Sequence, residues 1–173
     1  YLINTHKISD DRIIICGSPR HDPFFRLSSN SSNSNEKIIL LCPRPIIEHI
    51  GKHHTRLYLE YESSFKKILN QLNQIKDYKL IIKLHPSYNP HDDLIKKIIN
   101  EIDSNIVIFY TKKIDELIVK SDLVVVISPH GFDPSTVILE SIILKKPVIN
   151  FVIDEKFYDF SYEQYSAVIS ITE

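Results

Sequence analysis

The feature that most narrows the fold is a set of short, unbroken apolar runs, each separated from the next by a longer segment of helical period. Leu123-Val-Val-Val-Ile127 is the plainest run, and Lys37-Ile-Ile-Leu-Leu-Cys42, Lys79-Leu-Ile-Ile-Lys-Leu84, Asn105-Ile-Val-Ile-Phe109 and Pro147-Val-Ile-Asn-Phe151 share its character. A strand with one wet face alternates apolar and polar residues, whereas a continuous run is covered on both faces. Tyr58 to Ile75, Asp92 to Ile102, Ile114 to Val119 and Ser135 to Leu144 read as helices, and Ala167-Val-Ile-Ser-Ile171 as a sixth strand. Alternating strands and helices require parallel crossovers, so the expected fold is α/β, a doubly wound, Rossmann-like parallel sheet of order 3-2-1-4-5.

That order locates a site. In open parallel sheets a ligand lies beyond the carboxyl ends of the strands where the order reverses, here between the first and fourth strands. The loops at that point are Pro43 to Arg56 and Ser128 to Pro134, which contain Gly51, His130 and Gly131. The sequence has only three glycines, Gly17 being the third, so neither GxGxxG nor GxxxxGK[ST] can be written in it. Any phosphate must be held without a glycine-rich cradle.

Other bulk features exclude more than they assign. The 173 residues suit one domain, and a formal charge of −1 gives no general attraction to nucleic acid. Cys16 and Cys42 lack CxxC or Cys/His spacing and are expected to be reduced and buried, as in the cytoplasm. No apolar run approaches the roughly 18 residues that cross a bilayer. Isoleucine is abundant and alanine occurs once, a skew that reads as compositional bias. Residues 1–35 are expected to form a linker element ending in the polar Leu27 to Asn35 stretch, with 36–173 as the domain proper. The start at Tyr1 reads as a cut inside a longer protein.

Chemistry concentrates between Ser121 and Phe151. Ser135 and Thr136 open an apolar helix, whose unpaired N–H groups and positive dipole end can hold a phosphate. The plainer alternative is that Asp133 or Ser135 only caps the helix. Glu140, farther along it, either accepts hydrogen bonds from sugar or ribose hydroxyls or faces solvent. His85, at the end of the second strand, is a phosphate or acceptor contact or else a structural hydrogen-bonding group. Arg44, after the first strand, either grips a phosphate or is a surface residue. Ser128, His130 and Gly131 are candidates because the strand order puts them at the switch point. His49, Lys52, His53, His54 and Arg56 suggest a basic loop over the cleft; no converging ligands point to a metal there.

The block SDLVVV…STVILESIILKKPVI resembles the "SD…(S/G)(S/G)…(E/D)A…GKPV" region of GT-B-type glycosyltransferases and their relatives, among them CDP-glycerol glycerophosphotransferases and UDP-N-acetylglucosamine 2-epimerases. Ile15-Cys-Gly-Ser-Pro-Arg-His-Asp22 is similar to their "G-x-P-x-x-D" element. Ile39-Leu-Leu-Cys-Pro-Arg44 resembles the first strand and its exit, and Ile82-Lys-Leu-His-Pro86 the "KLHP" end of the second. The resemblance covers Ile13 to Phe151 and corresponds to the C-terminal half of such an enzyme.

It implies a nucleotide-activated sugar or polyol donor used in surface or cell-wall polysaccharide synthesis. The donor phosphates would lie on Ser135 and Thr136, the ribose or sugar near Glu140, and His85 would face the cleft. Gly17 and Arg20 match the linker element, with Arg20 able to pair with a phosphate. No cofactor, metal or nucleic acid is implied. Any catalytic base, and any peripheral attachment to the inner face of a membrane, would belong to the N-terminal half; the segment Tyr158 to Tyr165 is either a core edge or, the preferred reading, the face that meets that half. Alone, the domain would turn over nothing. A 2-epimerase, or a non-catalytic domain that binds or senses sugar nucleotides or serves as a scaffold, would keep the same fold. Lys145-Lys146-Pro147 stands where the family pattern has Gly-Lys-Pro, so the helix is expected to lack the glycine that commonly caps its C-terminus.

Overall fold

The fold is that of a computed structural model, which describes residues 9, 18–27, 36–44, 54–87, 89, 91–129, 135–153 and 161–172. Gly17, Gly51, Gly131, His49, Lys52, His53, His130 and Asp133 lie outside them, as do Cys16 and the side chains of His54 and Arg56.

Six strands form one parallel sheet: β1 (Lys37–Pro43), β2 (Tyr78–Lys83), β3 (Val107–Phe109), β4 (Leu123–Ser128), β5 (Val148–Val152) and β6 (Ile169–Thr172), in the order β3-β2-β1-β4-β5-β6. The expected order holds, with the sixth strand at the far edge. Among the described residues five α-helices accompany the sheet: α1 (Asp22–Leu27), α2 (His54–Asn73), α3 (Asp92–Ile102), α4 (Ile114–Lys120) and α5 (Thr136–Ile143). The fold is Rossmann-like.

The unbroken apolar runs are explained by cover on both faces. Ile39, Leu41, Ile82, Val125 and Ile127 pack with Phe65 and Leu69 of α2 and Ile95 and Ile99 of α3. The intervening residues Leu40, Cys42, Ile81, Val124 and Val126 pack on the opposite side with Ile118 of α4 and Ile138 of α5. Period-2 alternation therefore still operates, but both faces are apolar because both meet helices. Phe24, from the region expected to be a linker element, is buried in the second of these clusters. Of the tyrosines near the C-terminus, Tyr162 packs on the same core whereas Tyr165 is exposed.

Two departures concern element ends. β3 is shorter than expected and begins at Val107, because the Asp103 carboxylate accepts hydrogen bonds from the backbone and side-chain amides of Asn105 and forms a turn there. The C-terminus of α5 is capped without glycine. Lys145 takes the left-handed conformation at φ 56°, its N–H donates to Ile142 O at 2.9 Å, and Lys146 N–H donates to Ser141 O at 2.9 Å. This is the Schellman pattern with a lysine where glycine is usual.

The Ser121-Asp122 pair of the family-like block is architectural. The Ser121 hydroxyl donates to Ile118 O at 2.8 Å, closing α4. The Asp122 carboxylate accepts from Ile38 N–H at 2.7 Å while Asp122 N–H donates to Ile38 O at 2.8 Å, which fixes the register of β4 on β1.

Candidate functional site

The parallel sheet puts every strand exit on one rim, and a cleft of about 660 Å³ opens there. Its walls come from the exits of β1, β2 and β3, the N-termini of α4 and α5, and the turn carrying Arg20. Arg20, Arg44, His85, Ser135, Thr136 and Glu140, all anticipated from sequence, line it together. The cleft thus includes the β1 exit and the helix after β4, as the switch-point argument requires, and also extends over β2 and β3.

Each side chain is placed by its element. Arg20 belongs to the 3₁₀ turn Pro19–His21 that leads into α1, itself anchored by Phe24. Its Nη2 donates to Glu140 Oε1 at 3.5 Å. Glu140 is 2% exposed, so it does not face solvent. Burial raises its pKa and the Arg20 guanidinium works against that rise.

Arg44 is held through its main chain. Its N–H donates to Ile127 O at 3.0 Å, and its carbonyl accepts from the Tyr61 hydroxyl of α2 at 3.3 Å. At the exit of β2, His85 Nδ1 accepts a hydrogen bond from Ser87 N–H at 3.1 Å, so the neutral ring carries its proton on Nε2. The structural hydrogen bond at His85 therefore exists, in a residue that also lines the cleft.

Ser135 stands at the N-cap of α5 with φ −59° and ψ 135°, yet its hydroxyl makes no capping hydrogen bond. It is buried, and Thr136 beside it is exposed. Ser128 is the sequence candidate that the structure takes elsewhere. Its hydroxyl donates to Asn150 Oδ1 at 2.9 Å within the sheet, Asn150 Nδ2 reaches Ser170 Oγ at 3.5 Å, and Ser170 in turn bonds Glu163. It therefore joins β4 to β5.

Three cations lining the cleft escaped the sequence reading: Lys83, Lys112 and Lys113. Lys112 lies with its Nζ 4.8 Å from the centroid of the Phe109 ring. The signal for Lys112 and Lys113 is their place in the short loop between β3 and α4, at the same rim as Arg44 and His85. Lys83 was signalled as the single charge between Leu80 and Leu84 in a doubly covered strand. Among the described residues the lining therefore carries Arg20, Arg44, Lys83, Lys112 and Lys113 against one carboxylate, Glu140. Cys42 is at the cleft floor; burial pushes its thiol up to about 12, an effect Lys83 opposes and Glu140 adds to, so it stays protonated. Such a lining suits an anion bearing hydroxyl groups.

The sequence matches a family model described as CDP-Glycerol:Poly(glycerophosphate) glycerophosphotransferase over residues 2–168. A search of curated proteins returns no match. Among solved structures, a glycosyltransferase from Rickettsia africae ESF-5 is similar, with 19% identity and a TM-score of 0.61, over 99% of this chain and 46% of that one. WaaG, a glycosyltransferase involved in lipopolysaccharide biosynthesis, aligns at 16% identity and a TM-score of 0.47, over 96% of this chain and 41% of its own. The Rickettsia structure shows a shared fold. The chain spans less than half the length of either protein.

Proposed function

The chain belongs to the CDP-glycerol:poly(glycerophosphate) glycerophosphotransferase family, and from that premise we propose that its cleft is the donor-nucleotide site of a GT-B-type transferase that builds surface or cell-wall polymer. In this reading the chain is the nucleotide-binding half of a larger enzyme. The observation that carries the proposal is the charge of the lining, which among the described residues places five cations around one buried carboxylate in a chain of formal charge −1.

The residues divide the donor between them. The N-terminus of α5 at Ser135 and Thr136 offers unpaired N–H groups and a positive dipole end to the donor diphosphate. Arg20 and Arg44 supply planar forks able to bind phosphate oxygens in pairs. Glu140, an acceptor only when ionised, receives the ribose or polyol hydroxyls. His85 donates from Nε2 to a phosphate or to the acceptor.

The reaction named by the family moves glycerophosphate from CDP-glycerol to the polymer end. A polymer hydroxyl bonds to the glycerol-bearing phosphorus, the bond from that phosphorus to the bridging oxygen breaks, and CMP leaves with an added negative charge. Cations and helix N–H groups fixed around that oxygen stabilise the charge as it develops. The base that takes the hydroxyl proton is assigned to the other half of the enzyme.

Calorimetry on the full-length protein with CDP-glycerol and with UDP- and CMP-linked sugars tests the reading. CDP-glycerol or a sugar nucleotide should bind, and more weakly once Ser135 or Glu140 is replaced. If none of them binds, the cleft is not a donor site.

A further inference from the structure

Lys83 differs from the other cations of the cleft. It is 9% exposed, on the β2 face that also carries Ile81, and its Nζ donates to the main-chain oxygens of Leu84 and Tyr110, the latter at 2.8 Å. Leu84 follows β2 and Tyr110 follows β3, so one ammonium ties together the exits of two neighbouring strands. Leu84 N–H also donates to Phe109 O at 3.0 Å, which extends the strand ladder to the same point.

Its charge is another matter. Two of the three N–H donors are spent on neutral carbonyls, and among the described residues no carboxylate forms an ion pair with it. From β1 it faces the Cys42 thiol, which stays protonated and supplies no counter-charge. Across the cleft, Glu140 is engaged by Arg20, and Asp115 in the first turn of α4 acts on Glu140. Among the described residues the remaining charged groups of the lining, Arg44, Lys112 and Lys113, are cations; His85 and Tyr110 are the other titratable residues. Among the described residues, then, no anion compensates this buried ammonium.

We propose that Lys83 is a positioning residue of the donor cleft. It fixes the Tyr110 to Lys113 wall through the Tyr110 carbonyl and gives the floor a positive charge that an incoming phosphate compensates. The proposal rests on the donor reading above. Burial lowers the pKa of Lys83, so the free protein loses this charge at lower pH than an ordinary lysine would. A bound phosphate favours the ammonium, and binding therefore weakens as pH rises through the lowered value.

The test is calorimetric titration of the full-length protein with CDP-glycerol from neutral pH to about pH 10, the ordinary lysine value. The pyrophosphate diester and cytosine of this probe carry no group that titrates on the alkaline side of neutrality. Wild-type affinity should fall about tenfold across the range. Lys83→Arg, which cannot lose its charge there, should bind within about threefold of wild type at neutral pH with a flat profile. Lys83→Met should bind at least about tenfold more weakly at neutral pH, also without slope. Melting curves establish that each variant is folded; should Lys83→Met fail to fold, the profiles of wild type and Lys83→Arg decide. A wild-type profile without slope, a slope shared with Lys83→Arg, or wild-type affinity in folded Lys83→Met overturns the assignment of Lys83 and leaves the donor reading standing. No binding by wild type at any pH overturns both.

Discussion

Arg20 and Glu140 are 120 positions apart, and a 3.5 Å contact joins them, one side chain 65% exposed and the other 3%. The cation at the mouth of the cleft is mostly in solvent. The carboxylate stays where α5 puts it. The pair thus keeps a buried anion compensated; in the donor reading proposed above, ligand hydroxyls would take the place of Arg20 at Glu140 while the guanidinium turns to a phosphate.

Glu140→Gln should separate stability from binding. Because burial raises the folded pKa of Glu140 above its ordinary 4.5, the native state holds the proton more tightly than the unfolded chain. The contribution of Glu140 to stability is thus fully present below 4.5 and is lost as pH rises through the folded value. The variant should lack this fall and melt higher than wild type at neutral pH, while its donor affinity drops at least about fivefold. Melting temperatures across the acid range, with calorimetry at neutral pH, check both parts.

Ser135→Ala should be mild for the fold. With no capping hydrogen bond from the hydroxyl to lose, the cost should stay within about 0.5 kcal/mol, less than the usual cost of removing a cap. Donor affinity should nevertheless fall several-fold if that hydroxyl meets a phosphate. Chemical denaturation and titration of the same preparation distinguish the two effects.

Lys145→Gly should stabilise the protein by about 1 kcal/mol. At φ 56° a side chain crowds its own backbone, and glycine removes that strain while the two Schellman hydrogen bonds remain. Unfolding in urea should show a higher midpoint at an unchanged slope.

His91 should make the fold acid-sensitive. It is buried, with its ring centroid 4.9 Å from that of Tyr58 and 5.2 Å from that of Tyr61, and both ring nitrogens lack partners among the described residues. Burial lowers its pKa below 6.5, against the opposing pull of Asp92 and Glu62. The unfolded chain therefore binds the proton more readily, and stability present above 6.5 is lost as pH falls through that value toward the folded one. His91→Phe should flatten the dependence of the urea midpoint on pH between about pH 5 and 7.5.

Most of the sheet was legible because a doubly covered strand leaves an unbroken apolar run, and the order followed from the number and spacing of those runs. Arg44, His85 and Ser135 were legible because each stands at a strand exit or opens a helix, whereas Lys112 and Lys113, in the loop between β3 and α4, were not picked out. Glu140 was harder, since burial of one carboxylate on an amphipathic helix depends on what packs against it, and Arg20 comes from a distant turn. Lys83 was hidden because a single lysine in a strand gives no sign of the two carbonyls that receive it. Ser128 shows the opposite limit: its place at a strand end pointed to the cleft, but Asn150 claims its hydroxyl inside the sheet.

The pairing of β1 with β4 also sets an order in time. Ile38 and Asp122, which bind each other through both main chains and a carboxylate, lie 84 positions apart. A ribosome must therefore deliver three helices and two further strands before the centre of the sheet can close. Until then β1 has one open edge, with apolar residues on both faces, and a nascent chain stalled in that interval would expose a ready template for aggregation.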